Sequence, residues 1–113
     1  MKFLSLEPFV PSGNNFEGSR QFFLELGFKI NWDAVDYIGF ERDGCKFILQ
    51  KYDNKDFAEN FMVNVKISDA EGFWNDVNEK QLQQKFGIKA NQLKCLMVKK
   101  SISLILQVYA GIL

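Results

Sequence analysis

Hydrophobic and polar positions alternate most clearly from Asn60 to Ile67. Phe61, Val63, Val65 and Ile67 fall on one side, and Asn60, Met62, Asn64 and Lys66 on the other. A period of two predicts a β-strand with one buried face. Ser68-Asp69-Ala70-Glu71 follows with capping-box spacing, in which the Ser68 hydroxyl and the Glu71 carboxylate satisfy otherwise unpaired amides. Phe73, Trp74, Val77 and Leu82 then carry a helix to Gly87.

The same grammar occurs once earlier. Phe3 to Val10 is a short apolar run, predicted as a first strand and ended by Pro11-Ser12-Gly13. Asn14 stands as a cap with Glu17 three residues on. Phe16, Arg20, Phe23 and Leu24 follow at helical spacing, widened by Phe22 and Leu26, and Gly27 suits the left-handed position that closes a helix. Strands are predicted at Phe28–Trp32, Val35–Glu41 and Cys45–Tyr52, with a turn at Asp33-Ala34. Asp43-Gly44 is the strongest hairpin signal in the chain. Asp53 to Glu59 reads as a polar connection.

Set side by side, the halves match as an internal repeat. Glu17-Gly18 pairs with Glu71-Gly72, and Leu26-Gly27-Phe28-Lys29-Ile30 with Phe86-Gly87-Ile88-Lys89-Ala90. Two tandem β-α-β-β-β modules, an α+β fold, are the expectation. One domain spans 1–113, with module 1 over about 1–53 and module 2 over about 58–113.

Composition narrows the classes. At 113 residues the chain suffices for one modest core. Fourteen basic against fourteen acidic residues leave no net charge, and only Lys99-Lys100 adjoin as a basic pair, so nucleic acid is a poor partner. Twelve Phe, three Tyr and two Trp are an aromatic surplus. It fits core packing first and an aromatic-walled pocket second. Cys45 and Cys95 lack metal or disulfide spacing and are read as reduced structural thiols. No stretch has membrane-spanning length, and the opening run is too short for a signal peptide, with Glu7 interrupting it. A cytoplasmic protein is expected. Histidine is absent, which removes the commonest general base and the commonest transition-metal ligand together.

Pro8-Phe-Val-Pro-Ser, Arg20-Gln-Phe-Phe-Leu-Glu-Leu-Gly-Phe-Lys and the Ser68-Asp69 turn into an aromatic helix resemble the glyoxalase/bleomycin-resistance/dioxygenase superfamily, also called vicinal oxygen chelate. Phe47-Ile-Leu-Gln-Lys-Tyr and Ala58-Glu-Asn-Phe-Met resemble its small bleomycin-resistance-like members. The resemblance covers about Met1 to Lys89. It implies two β-α-β-β-β modules paired into a curved mixed sheet around a cleft, a small-molecule ligand in that cleft, and a homodimer. Metal-dependent members carry His or Glu on the cleft-facing strands. Those positions fall here at about Pro8, near Gln50 and at Met62. Proline has no donor, a thioether is too soft for a hard metal, and an amide is a weak ligand. No metal site, no other cofactor and no catalytic residue are therefore expected.

The family's closing strand carries a pattern like Asp-Pro-x-Gly, and Cys95 to Leu113, CLMVKKSISLILQVYAGIL, has none. Synonymous codons for Lys100 to Leu113 exist that, read one base out of frame, translate as INLIDPAGVCWHF. The expectation is a frameshifted tail over about 95–113. It stays apolar enough to pair, because Ile102, Leu104, Leu106 and Val108 alternate with Ser101, Ser103, Ile105 and Gln107.

A non-catalytic small-molecule, even antibiotic, binder is the first functional expectation. Strand parity sets Ile38, Phe40, Ile48, Gln50, Tyr52, Met62 and Asn64 on the face away from the helices, with Trp32 at the rim. The bland alternative is that several of these fill the sheet centre or a dimer contact. Gln50 and Asn64 lean toward ligand, since a buried amide costs free energy unless hydrogen-bonded. A metal-dependent lyase or dioxygenase relative would need an all-carboxylate site, and Glu7, Asp36, Glu41 and Glu59 do not converge by parity. A degraded homologue without specific activity is the third reading.

Overall fold

The computed structural model describes residues 1–54, 56–57, 61, 63–81, 93–98 and 101–106. The fold is α+β. Over the first half run β1 (Phe9–Pro11), α1 (Phe16–Glu25), β2 (Lys29–Asp33), β3 (Tyr37–Arg42) and β4 (Cys45–Gln50). They form a four-stranded mixed sheet in the order β1-β4-β3-β2, with β1 parallel to β4 and the other neighbours antiparallel. β5 (Val63–Ile67), α2 (Ala70–Glu79), β6 (Leu93–Val98) and β7 (Ser101–Leu106) follow, and these strands make a second, antiparallel sheet in the order β5-β7-β6. Among the described residues no helix is long and apolar enough to cross a membrane.

Both helices begin one residue later than the capping-box spacing predicts. Asn15 caps α1 by accepting from the Gly18 amide at 2.9 Å, and Asp69 caps α2 by accepting from the Gly72 amide at 2.9 Å. In each case the side-chain oxygen of the cap satisfies the amide three residues on. α1 closes as expected: Gly27 takes φ 97°, its amide donates to Leu24 O, and the Phe28 amide reaches back to Phe23 O. That is a Schellman ending. α2 ends at Glu79, with Gln81 in the left-handed region, so the predicted run to Gly87 is too long; Leu82 and Gly87 lie outside the described residues.

The core forms where α1 packs on the sheet. Val10, Phe22, Phe23, Leu26, Ile38, Phe40, Phe47 and Leu49 are its buried residues. Phe23 is its hub, with ring centroids 5.3 Å from Phe22, 5.7 Å from Phe40 and 4.6 Å from Phe47. Fully burying side chains of this kind contributes about 1.5–3 kcal/mol each, before the entropy of ordering them. From the second half, Phe61, Val65, Ile67 and Phe73 pack against the same cluster. Val63, Val65 and Ile67 are half-buried and Asn64 and Lys66 exposed, as the alternation requires. The aromatic surplus thus goes largely into packing.

α1 has no basic residue in its last turn. Two cations from elsewhere serve it: Arg42 of β3 donates to Leu26 O, and Lys80, just after α2, donates to Glu25 O at 2.8 Å. Both oppose the negative end of the helix dipole. Lys80 also pairs with Asp76 at 3.2 Å, so one ammonium ties the two halves together.

Two expectations need correction here. The first strand starts at Phe9, not Phe3; Phe3, Leu4 and Leu6 are exposed. Cys45, read as a structural thiol, is exposed at the start of β4, after the hairpin turn. In the second half β5 pairs antiparallel with β7, whereas in the first β1 pairs parallel with β4. The apolar alternation of the tail does make a strand, β7, whose residues pair with both β5 and β6.

Candidate functional site

The sheet face opposite α1 is built by register. The Asp43-Gly44 turn, with φ 52° and 81°, is the left-handed pair that a tight hairpin needs, and it sets Arg42 against Cys45. From there Phe40 pairs with Phe47, Gly39 with Ile48, Ile38 with Leu49 and Tyr37 with Gln50. Residues paired across a ladder share a face. Ile38 and Phe40 therefore go with Leu49 and Phe47 into the core, and Tyr37 and Gly39 go with Gln50 and Ile48 onto the open face.

This overturns part of the expected cleft. Ile38 is 1% and Phe40 0% exposed, packed under α1. Counting even positions along both strands placed them with Ile48 and Gln50. A two-residue turn pairs even positions with odd ones, so that count swaps faces at the hairpin.

Trp32 reaches the open face through a bulge. Ile30 pairs with Phe40 on the core side, yet Trp32 pairs with Gly39, leaving Asn31 as an extra residue between them. In a regular strand Trp32, two residues on, would share the face of Ile30; the bulge turns it over. The Asn31 amide donates to Glu41 at 2.8 Å and so holds the bulged residue. The same hydrogen bond, helped by Lys46 and Lys29, keeps the Glu41 carboxyl below its ordinary pKa.

The result is an open hollow of about 520 Å³ lined by Phe9, Trp32, Ala34, Tyr37 and Gln50, one or more from every strand of the sheet and the β2–β3 turn. The Phe9 and Tyr37 rings meet edge to face, centroids 5.9 Å apart and 82° between planes. The turn that carries Ala34 is held by Asp33, whose carboxylate accepts from the Val35 amide at 2.9 Å, and Val35 takes φ 74°. A positive φ is costly for a β-branched residue. The hollow's walls are largely aromatic, and Gln50 adds an amide-bearing residue to them. Such a surface stacks planar apolar ligands and orients them with few hydrogen bonds.

Of the remaining candidates, Ile48 lies on the open face between Phe9 and Gly39 in register but does not line the hollow. Tyr52 stands beyond β4, its ring 5.8 Å from Phe57 and its hydroxyl accepting from Asn54 at 3.1 Å. Asn64 is an exposed residue of β5, in the other sheet. Met62 lies outside the described residues. Phe9, Ala34 and Tyr37 escaped sequence reasoning. The parity of Tyr37 with Gln50 across a two-residue turn was the signal that could have found it.

A second cleft, about 690 Å³, runs between the β3–β4 hairpin and one face of α2, with Leu26, Phe28, Val65, Ile67 and Phe73 among its walls. Its Arg42 and Lys80 are engaged with α1, and Asp69 with its cap. Among the described residues no three His, Cys, Asp or Glu side chains gather as a metal site. No family model, curated protein or solved structure matches this chain.

Proposed function

We propose that this chain is a non-catalytic small-molecule binding protein of the glyoxalase/bleomycin-resistance type, built from two tandem modules and working as a cytoplasmic homodimer. One observation carries the reading. All four strands of the first sheet and the β2–β3 turn bring aromatic walls and a single amide into one hollow, and none brings an acid, a base and a nucleophile together. The first half follows the β-α-β-β-β order, and both helices share the cap-to-glycine bond, which supports a repeat. In this reading Trp32 and Tyr37 stack the ligand and Gln50 orients it, with Asp33 and Asp36 beside Ala34 favouring a cationic one.

The test is a thermal-shift and tryptophan-fluorescence screen with planar aromatic and cationic antibiotics. Stabilisation of the native chain that is lost in Trp32→Ala is the expected result. No stabilisation by any compound would favour a degraded homologue, the reading to which the atypical tail from Cys95 onward lends support. Stoichiometric first-row metal in purified protein would instead revive a metal-dependent lyase or dioxygenase relative.

A further inference from the structure

The open face of the first sheet continues past the hollow toward the Asp43-Gly44 turn. Along β3 the side that carries Tyr37 and Gly39 carries Glu41 next, and along β4 the side that carries Gln50 and Ile48 carries Lys46. Glu41 pairs with Lys46 on one flank and with Lys29 of β2 on the other. Lys29, Glu41 and Lys46 therefore form a row across the sheet. The next row is Trp32, Gly39, Ile48 and Phe9, whose two aromatic ends wall the hollow. Two residues along a strand advance about 7 Å, a gap that a flexible lysine stem spans.

The charges in this row do not cancel. Lys29 is exposed, and Glu41 and Lys46 are half-buried. The Glu41 carboxylate accepts from the Asn31 amide at 2.8 Å, and both ammonium groups help hold it below its ordinary pKa. Arg42 and Lys80 are committed to the end of α1, whereas among the described residues Lys29 and Lys46 make no ion pair. Two ammoniums against one carboxylate leave a positive charge at this end of the face. Acids stand at the other end, where Asp33 closes β2 and Asp36 precedes β3. Ile48, half-buried between Lys46 and Gln50 on β4, is an apolar step from the hollow to the cations. A face that is cationic at one end, aromatic in the middle and acidic at the other complements a ligand charged in the reverse order.

We propose that the ligand of the hollow is an aromatic zwitterion whose anionic group is held by Lys46 and Lys29, with its ring on Trp32 and Tyr37 and its cation toward Asp33 and Asp36. This rests on the reading of the hollow as a binding site and adds an anion-binding end to it. The test titrates the native chain with two dyes and follows their emission. One is 8-anilinonaphthalene-1-sulfonate; the other, N-phenyl-1-naphthylamine, has the same rings and no sulfonate. The sulfonate dye is expected to bind about fivefold more tightly, the upper range for an exposed ion pair, and the difference to shrink in high salt. Lys29→Gln with Lys46→Gln is expected to abolish the difference. Glu41→Gln, which removes the acid between the two ammoniums, is expected to widen it. Circular dichroism checks that each variant is folded. Equal affinities in the native chain overturn the proposal, as does a difference that survives the lysine variant or fails to widen in Glu41→Gln. In each of those cases, binding of the uncharged dye that Trp32→Ala removes leaves the hollow standing as a binding site. Binding of neither dye overturns both.

Discussion

Trp32 lies across Gly39 of the neighbouring strand so closely that a Cβ built on Gly39 would stand 2.2 Å from the indole Nε1. Any side chain there must lift the indole off the sheet. Gly39→Ala is therefore expected to cost about 1–3 kcal/mol through overpacking and to shift tryptophan emission as Trp32 moves. Chemical denaturation followed by fluorescence reads both. Unchanged stability and emission would mean that the indole does not rest on Gly39.

Phe23 touches the rings of Phe22, Phe28, Phe40 and Phe47 at once. Phe23→Ala removes the hub of a rigid cluster and is expected to cost about 3–5 kcal/mol, a large share of a small domain's stability. A urea titration by circular dichroism checks it. A loss below that range would place the hub elsewhere.

Lys80 joins the end of α1 to α2 with one ammonium. Lys80→Met keeps much of the aliphatic stem and removes the charge, so a loss of about 0.3–1 kcal/mol is expected, shrinking in high salt. Denaturation midpoints at low and high ionic strength measure it. A salt-independent loss would point to packing instead of charge.

Glu41 accepts from Asn31, and its pKa is lowered in the folded chain. A carboxyl whose folded pKa is depressed adds stability above its unfolded pKa and loses it as pH falls through the folded one. The bulge should thus loosen on acidification, and Trp32 with it. Fluorescence from neutral to acid pH should show a transition that Glu41→Gln removes. A transition that persists in the variant assigns it to another carboxyl.

The tail makes a prediction about the gene. If Cys95 to Leu113 is a frameshifted ending, the codons from Lys100 onward read one base out of frame must encode Asp-Pro-x-Gly. Sequencing that stretch decides the matter, since any other translation removes the idea.

Local grammar was legible along the chain. The Asp43-Gly44 hairpin, the Gly27 ending of α1 and the alternation of Val63, Val65 and Ile67 each depend on a few adjacent residues, and each stands in the structure where its pattern puts it. The caps were legible to within one residue, because Asn14 and Asn15, or Ser68 and Asp69, are adjacent cap-forming residues that reach amides one position apart. Gln50 and Trp32 were named as candidates and line the hollow, whereas Ile38 and Phe40 were named and belong to the core.

What the residues determined by themselves was period, punctuation and the α+β class, since these follow from steric preferences within a few positions. Which face each side chain took was decided only by tertiary pairing. A two-residue turn exchanges even for odd between β3 and β4, and one extra residue at Asn31 turns Trp32 over. Alternation repeats every two residues, so a single inserted position inverts everything beyond it. Nothing in the local pattern announces where that position falls.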